Sequence, residues 1–457
     1  MTRLPGVHVN FDILCCIMAF LPCADILSFM RCSKALHPRG VMLLLQTYDF
    51  DTLPQGRGHA FWNFILADVP FRAGCLRGLP ALSPAQSDAM PVFAFSLLHV
   101  LSHAHNLQSL ALINCEELIR LRPALGDAVC ALPGLSSVAF SHVGPRFANV
   151  LRRMQTPLRR AHIRLLHPAD AYTAPDATDI LTGSARTLTY LSMNGRMYSA
   201  PTRFDRLTTL QLGTDDLRTI RPLLESFPCV RRLAIDLFDA PGPARTYTIH
   251  MTPTEFEEMR EDNQVAHEEQ KTWQVLEELA GDVRSLYALG LRARAKRLTI
   301  DITRSLYEDT TELMGQAQSV FQDTSPLRVK FRLRADEVNL LALLIPLGVY
   351  YVEIDIQVAA DANGINEDDE GLGYRRTLVV RNALRWMTEL QFGTTFLNVV
   401  GHLAFVRFYS ADIRSAWRVV REGRGKVGLE PLPEEQAFGD WWERLPEELE
   451  VVEPDAN

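Results

Sequence analysis

The chain has 457 residues, more than a single hydrophobic core accommodates, so two or more modules or one long repeat array are expected. Hydrophobic residues at 47% and charged residues at 22% exclude a disordered chain, and a formal net charge of -8 excludes the broadly basic surface of a general binder of nucleic acid or anionic lipid. The eight cysteines form no C-x-x-C pair, which argues against a zinc ribbon or a disulfide framework and for buried free thiols in a reducing compartment.

Near the N-terminus, Ile13 to Leu21 is apolar and lies where a secretory signal places its hydrophobic region. Asp12 abuts the run, Arg3 is the only basic side chain before it, and Pro22 follows it, so it reads as part of the folded protein. No later segment holds the roughly 20 uninterrupted apolar residues of a membrane span. Ile13, Ile17, Phe20 and Leu21 recur at offsets of four, seven and eight, which predicts an amphipathic helix ended by Pro22. A second helix is expected from Asp25 as N-cap, carrying Ile26, Leu27, Phe29, Met30 and Leu36 until His37-Pro38-Arg39-Gly40 stops it. Two short helices that are apolar on more than one side cannot bury themselves, and they need a third helix or a partner.

The run Val9-Asn10-Phe11-Asp12-Ile13, then Ile17, then Leu21-Pro22-x-x-Asp25-Ile26-Leu27-x-Phe29, then Cys32-Ser33-Lys34-x-Leu36, resembles the F-box pattern. That pattern joins an acidic residue, spaced Ile/Leu, Leu-Pro-x-x-Asp-Leu-Leu and a Cys/Ser-Lys/Arg-x-aromatic close. Its opening Leu-Pro is Val9-Asn10 here, and its closing tryptophan is Leu36. The resemblance implies an F-box over residues 1–45 that binds the Skp-type adaptor of a cullin-RING ubiquitin ligase. Ile13, Ile17, Leu21, Pro22, Ile26, Leu27 and Leu36 form the implied adaptor-facing set. Such helix-in-groove recognition draws most of its affinity from a few buried aliphatic anchors. The competing reading is a helical hairpin that only packs on the next domain.

Residues 46–99 carry few signals and are read as a helical connection. From residue 100 a unit L-x-x-L-x-L returns, clearest at Leu107-x-x-Leu110-x-Leu112-x-x-Cys115, with degenerate copies starting at Leu135, Leu158, Leu188, Leu207 and Val230. Its period-two end is a short strand and the intervening segments have helical spacing, as in Leu217 to Phe227. Strand plus helix per unit resembles leucine-rich repeats. The fold class expected is therefore α/β: a helical F-box, then an irregular leucine-rich-repeat-like solenoid, or horseshoe, over 100–429.

The period lapses near 252–292, where a capping box at Thr252 to Glu255 predicts an inserted helix whose later part buries Trp273, Leu276, Leu279, Val283 and Leu286. Units resume at Ala295, Val329, Val349 and Leu403, and Trp417 to Val420 is expected to pair with Leu429 to Pro433 as a closing hairpin. The stretch 430–457 holds ten acids against Arg444 and reads as an exposed acidic tail.

Residues alternating with the buried strand positions face the concave side of such a solenoid. Arg160, Arg164, Tyr190, Asn194, Gln211, Arg232, Tyr351 and Arg407 are the candidate contacts for a protein target. Catalytic and metal signals fail on spacing. Gly423-x-Gly425-x-x-Gly428 is followed by two prolines instead of a helix, Val100 stands where a zincin glutamate belongs between His99 and His103, and the acidic loop at Asp361 to Glu370 has its glycine two places early for an EF-hand. The chain is expected to be no enzyme, to carry no cofactor or metal, to bind neither nucleic acid nor membrane, and to work in the cytoplasm or nucleus as a recruiting subunit. Alternatives are a non-ligase scaffold and a secreted repeat protein.

Overall fold

The computed structural model describes residues 10–47, 58–82, 89–166, 177–194, 202–213, 219–236, 253–302, 310–334, 351–357, 405–410, 413–422 and 426–431. The chain forms two compact units, one of Met1–Leu217 with Pro222–Cys229 and Asp239–Thr246, the other of Arg218–Arg221, Val230–Phe238 and Tyr247–Asn457. The acidic loop at 361–370 and nearly all of the acidic tail lie outside the described residues. Among the described residues no helix is long and apolar enough to cross a membrane.

The first unit opens with three helices, α1 (Phe11–Met18), α2 (Cys23–Cys32) and α3 (His37–Thr47). Asn10 caps α1 by accepting from the Asp12 N–H at 2.9 Å. The second helix differs from expectation at both ends: Pro22 is its N-cap with Asp25 inside the first turn, and extended Ser33 ends it after Cys32. The segment expected to stop it instead opens α3, because Pro38 falls in the first turn where its missing N–H costs nothing. Met18, Ile26, Leu36 and Leu43 form the bundle core. At Gly40 a Cβ would meet Met30 Cγ at 2.2 Å, so the missing side chain lets α3 lie against α2.

Then come α4 (Gly58–Leu66), α5 (Val69–Cys75), β1 (Gly78–Leu82) and α6 (Met90–Leu101), so the sheet begins within the stretch expected to be a connection. Buried Leu76 and Leu79 are one more repeat start, hidden because Pro80 and Ala81 break the leucine template. Pro80 is tolerated on a strand with one recorded neighbour, β2 (Ser109–Leu112), to which β1 is parallel. The unit continues through α7 (Cys115–Leu121), α8 (Ala124–Cys130), β3 (Ser137–Val143), α9 (Pro145–Arg153), β4 (Arg160–Leu165), α10 (Ala177–Ile180), β5 (Tyr190–Asn194), β6 (Thr209–Gly213) and α11 (Arg221–Ser226).

Strands β1 to β6 pair in parallel in chain order. Their register lines up the leucine template: Leu110, Val138, Ala161, Leu191 and Leu210 are successive partners, as are Leu112, Phe140, Ile163, Met193 and Leu212. All ten are buried. One hydrogen-bonding device recurs before each of β2 to β6: a single carbonyl accepts from two consecutive N–H groups of the next strand segment. Arg77, Gln108, Ser136, Arg159 and Thr189 supply these carbonyls. Helix α9 illustrates local economy, since Gly144 at its N-cap has no side chain and Glu116 of α7 accepts from the Arg146 and Phe147 N–H groups at 3.2 and 3.0 Å instead.

The second unit holds β7 (Arg232–Asp236), α12 (Pro253–Gln270), β8 (Val275–Asp282), α13 (Val283–Leu289), β9 (Arg294–Asp301), α14 (Thr310–Thr324), β10 (Arg328–Arg334), β11 (Tyr351–Gln357), β12 (Phe405–Ser410), β13 (Ile413–Glu422) and β14 (Lys426–Pro431). Strands β7 to β12 are parallel in order, and β13 and β14 close the set antiparallel. Trp417 is opposite Pro431 and Val419 opposite Leu429, the expected hairpin.

The expected helix opens as α12 at Pro253, but the later part of the stretch, Val275 to Leu289, is strand β8 and helix α13. Trp273, Leu276, Leu279, Val283 and Leu286 are buried as expected, but Leu276 and Leu279 lie on strand β8, and only Val283 and Leu286 on a helix, α13. Leu279 stands between Leu233 and Leu298 in the register. Gly290 ends α13 at φ +58, where a Cβ would also strike the Arg260 carbonyl oxygen at 2.6 Å.

Candidate protein-docking surfaces

The helical bundle leaves much of its apolar surface open. Phe11, Ile13, Ile17 and Leu27 are between 42% and 53% exposed and Phe20 is 89% exposed, five of the large exposed apolar side chains in the described chain. Ile13 and Ile17 share one face of α1, four residues apart. Of the adaptor-facing set, Pro22 is exposed and Leu21 half-buried, whereas Ile26 and Leu36 are enclosed in the bundle core and offer no surface. Ile26 faces inward because α2 turns that side toward Met18 and Leu43, and Leu36 because it sits in the bend before α3. Phe11 and Phe20 were not singled out as contacts. Their signal is in the sequence: Phe11 stands just before the apolar run and Phe20 within its helical period, although α1 ends at Met18 and leaves Phe20 in the turn that follows.

Within the first unit, the candidate target-binding residues fall on neighbouring strands. Arg160 is beside Tyr190, and Arg164 beside Asn194. Arg160, Arg164 and Gln211 are exposed and Tyr190 half-buried, with the Tyr190 hydroxyl donating to Gln211 Oε1 at 2.8 Å. Asn194 works differently: its Oδ1 accepts from the Leu165 N–H at 2.8 Å, so its side chain ties the end of β5 to the end of β4. Burial first and Arg164 second lower the His162 pKa.

In the second unit Arg232 is exposed and lies 3.4 Å from Glu277. Tyr351 and Arg407 lie on β11 and β12, with their side chains outside the described set. There Lys330 contacts Glu353 at 2.6 Å and Asp355 at 3.6 Å, and Arg332 reaches Asp355 at 3.8 Å. Both acids of β11 thus sit against cations of β10.

Polar contacts tie the helices of this unit together. Arg260 of α12 pairs with Asp323 of α14, donates to the Tyr287 carbonyl at 3.0 Å and stacks 4.4 Å over the Tyr287 ring. Burial and the hydrogen-bonded Glu257 push the Tyr287 hydroxyl up to about 12. Burial raises the Asp282 pKa, and its carboxylate caps α13 through the Ser285 N–H. Among the described residues no group of three His, Cys, Asp or Glu side chains is placed to hold a metal ion. Gly428 lies in β14 opposite Val420, so a strand stands where a dinucleotide fingerprint requires a helix. Cys75 and Cys115 are buried thiols, but Cys16, Cys32 and Cys229 are exposed, against the expectation that all are enclosed.

Comparison with protein-family models and with curated proteins finds no match to this chain.

Proposed function

We propose that this chain is the substrate-recognition subunit of a Skp-cullin-F-box ubiquitin ligase in the cytoplasm or nucleus. Helices α1 to α3 are its F-box, and the strand and helix units are a leucine-rich-repeat-like solenoid that holds the target protein. The observation that carries this reading is the apolar surface of the bundle: Phe11, Ile13, Ile17, Phe20 and Leu27 stay open although Met18, Ile26, Leu36 and Leu43 already provide a core. A three-helix module that has satisfied its own interior and still exposes aromatic and aliphatic side chains is built to bury them on something else. Catalysis is then by proximity: one end grips the adaptor, the other the target, and target lysines meet a high effective concentration of charged ubiquitin-conjugating enzyme. No residue of the chain need do chemistry.

The test is co-purification of the full chain with a Skp-type adaptor, wild type against Ile17→Glu, Phe20→Glu and Leu27→Glu. Each change places a charge on an exposed position, so melting behaviour is expected to hold while adaptor affinity drops about thirtyfold. Wild-type chain that never captures the adaptor sinks the ligase reading and leaves the non-ligase scaffold.

A further inference from the structure

None of the strands β1 to β6 contains an aspartate or glutamate. The paired outward positions of β2 and β3 hold small side chains, with Ser109 beside Ser137 and Ala111 beside Ala139, while the exposed His142 lies near the far end of β3. On the next strand the outward positions become Arg160, His162 and Arg164, the two arginines exposed and the histidine half-buried, while Ala161, Ile163 and Leu165 face inward. A low floor of serine and alanine therefore abuts a ridge of cationic side chains. The hydrogen-bonded Tyr190 and Gln211 stand on the far side of that ridge.

Arg152 and Arg153 of α9 are paired with Asp179 at 2.7 Å and Asp127 at 2.9 Å, but among the described residues neither Arg160 nor Arg164 forms an ion pair. Strands β10 and β11 show the contrast, because there Glu353 and Asp355 sit against the cations.

We infer that the strand face around β4 docks an extended, carboxylate-rich peptide segment of another protein through Arg160 and Arg164. Two residues four apart on a strand point the same way and lie about 13 Å apart. An extended ligand running alongside β4 presents its own side chains at the same spacing, so acids at positions i and i+4 meet one guanidinium each. A carboxylate fits an arginine with two parallel N–H···O bonds, which gives orientation as well as attraction. The floor over β2 and β3 leaves room for the ligand backbone, and Tyr190 supplies an aromatic edge with a fixed hydroxyl. This deepens the target-binding half of the function proposed above and rests on it, whereas adaptor docking can fail without touching it.

The experiment titrates the full chain into a fluorescein-labelled Gly/Ser peptide carrying two glutamates four residues apart, beside versions with two lysines or with the glutamates adjacent. Saturable binding is expected for the spaced glutamates, weakened by added salt and by about tenfold in Arg160→Gln/Arg164→Gln. Lys330→Gln is expected to leave it unchanged. If the neutral double variant misfolds, Arg160→Glu/Arg164→Glu read against the lysine peptide provides a second test by charge exchange. No saturable binding up to about 1 mM, equal binding of the lysine peptide by wild type, or preference for a labelled single-stranded oligonucleotide over the peptide overturns the inference. Adaptor capture measured on the same preparations separates the two halves: capture with no peptide binding sinks this inference alone, and peptide binding with no capture sinks the ligase assignment alone.

Discussion

His267 of α12 is 1% exposed, and its Nε2 has no hydrogen-bond partner in the described structure. Burial is the first cause of its lowered pKa, against smaller upward pulls from the Trp273 and Thr272 backbone and from Glu268. The ring is therefore neutral in the folded chain at pH values where the unfolded chain, titrating near about 6.5, already binds a proton. A state that binds fewer protons loses ground as protons become available, so His267 costs nothing well above that value and lowers stability progressively as pH falls through it. Urea midpoints measured from pH 8 downward are expected to fall more steeply for wild type than for His267→Gln, whose side chain has no charge to gain. Parallel curves would show that the ring titrates normally and that its burial carries no penalty. No sequence pattern announced this residue: it stands in a polar helix beside Glu268 and Glu269, and only the fold reveals that it points inward.

Elements were legible where the apolar period was unambiguous and lost where two periods met. The leucine template and its resumed units located β2 to β7 and β9 to β12 because a strand buried on one side repeats every second residue. In the stretch around β8, successive buried residues at 273, 276, 279, 283 and 286 mimic helical spacing, although they belong to a turn, a strand and a following helix. The break after α12 is made by Lys271 at φ 52 and Trp273 at φ 55, residue types that carry none of the usual glycine or asparagine signal for a left-handed turn. On the strand, Leu276 and Leu279 are buried while Val275 is 55% exposed. Leu279→Ala is expected to cost about 2–5 kcal/mol in urea denaturation, against about 0.5 kcal/mol or less for Val275→Ala. Similar losses at the two positions would mean that β8 does not present Leu279 to the interior. The same reasoning explains the adaptor set: helical spacing identified an apolar bundle, but which side faced its own core depended on α3, opened by a segment that carries stop signals.

Within each unit, each strand of the parallel run pairs with its sequence neighbours, and the burial of one strand and helix is completed by the next. Contacts of this kind are short in sequence, so stability is a sum of repeat and nearest-neighbour terms and does not depend on a single central core. The sequence made this architecture legible through recurrence, whereas the ion pairs between β10 and β11, and the arginines of β4 that form none among the described residues, depended on which strands became neighbours, a property that no single repeat contains. The division into two compact units gives the nearest-neighbour argument a measurable consequence. Trp62 is buried in the first unit and Trp273 in the second, at 8% and 4% exposure. With Trp386, Trp417, Trp441 and Trp442 replaced by phenylalanine, variants that keep only Trp62 or only Trp273 are expected to report different urea midpoints, because strands held by their sequence neighbours unfold with their own unit. Coincident midpoints for the two reporters, matching the loss of far-UV circular dichroism, would instead require a cooperative structure extending through both units, and the additive description of the repeats would fail.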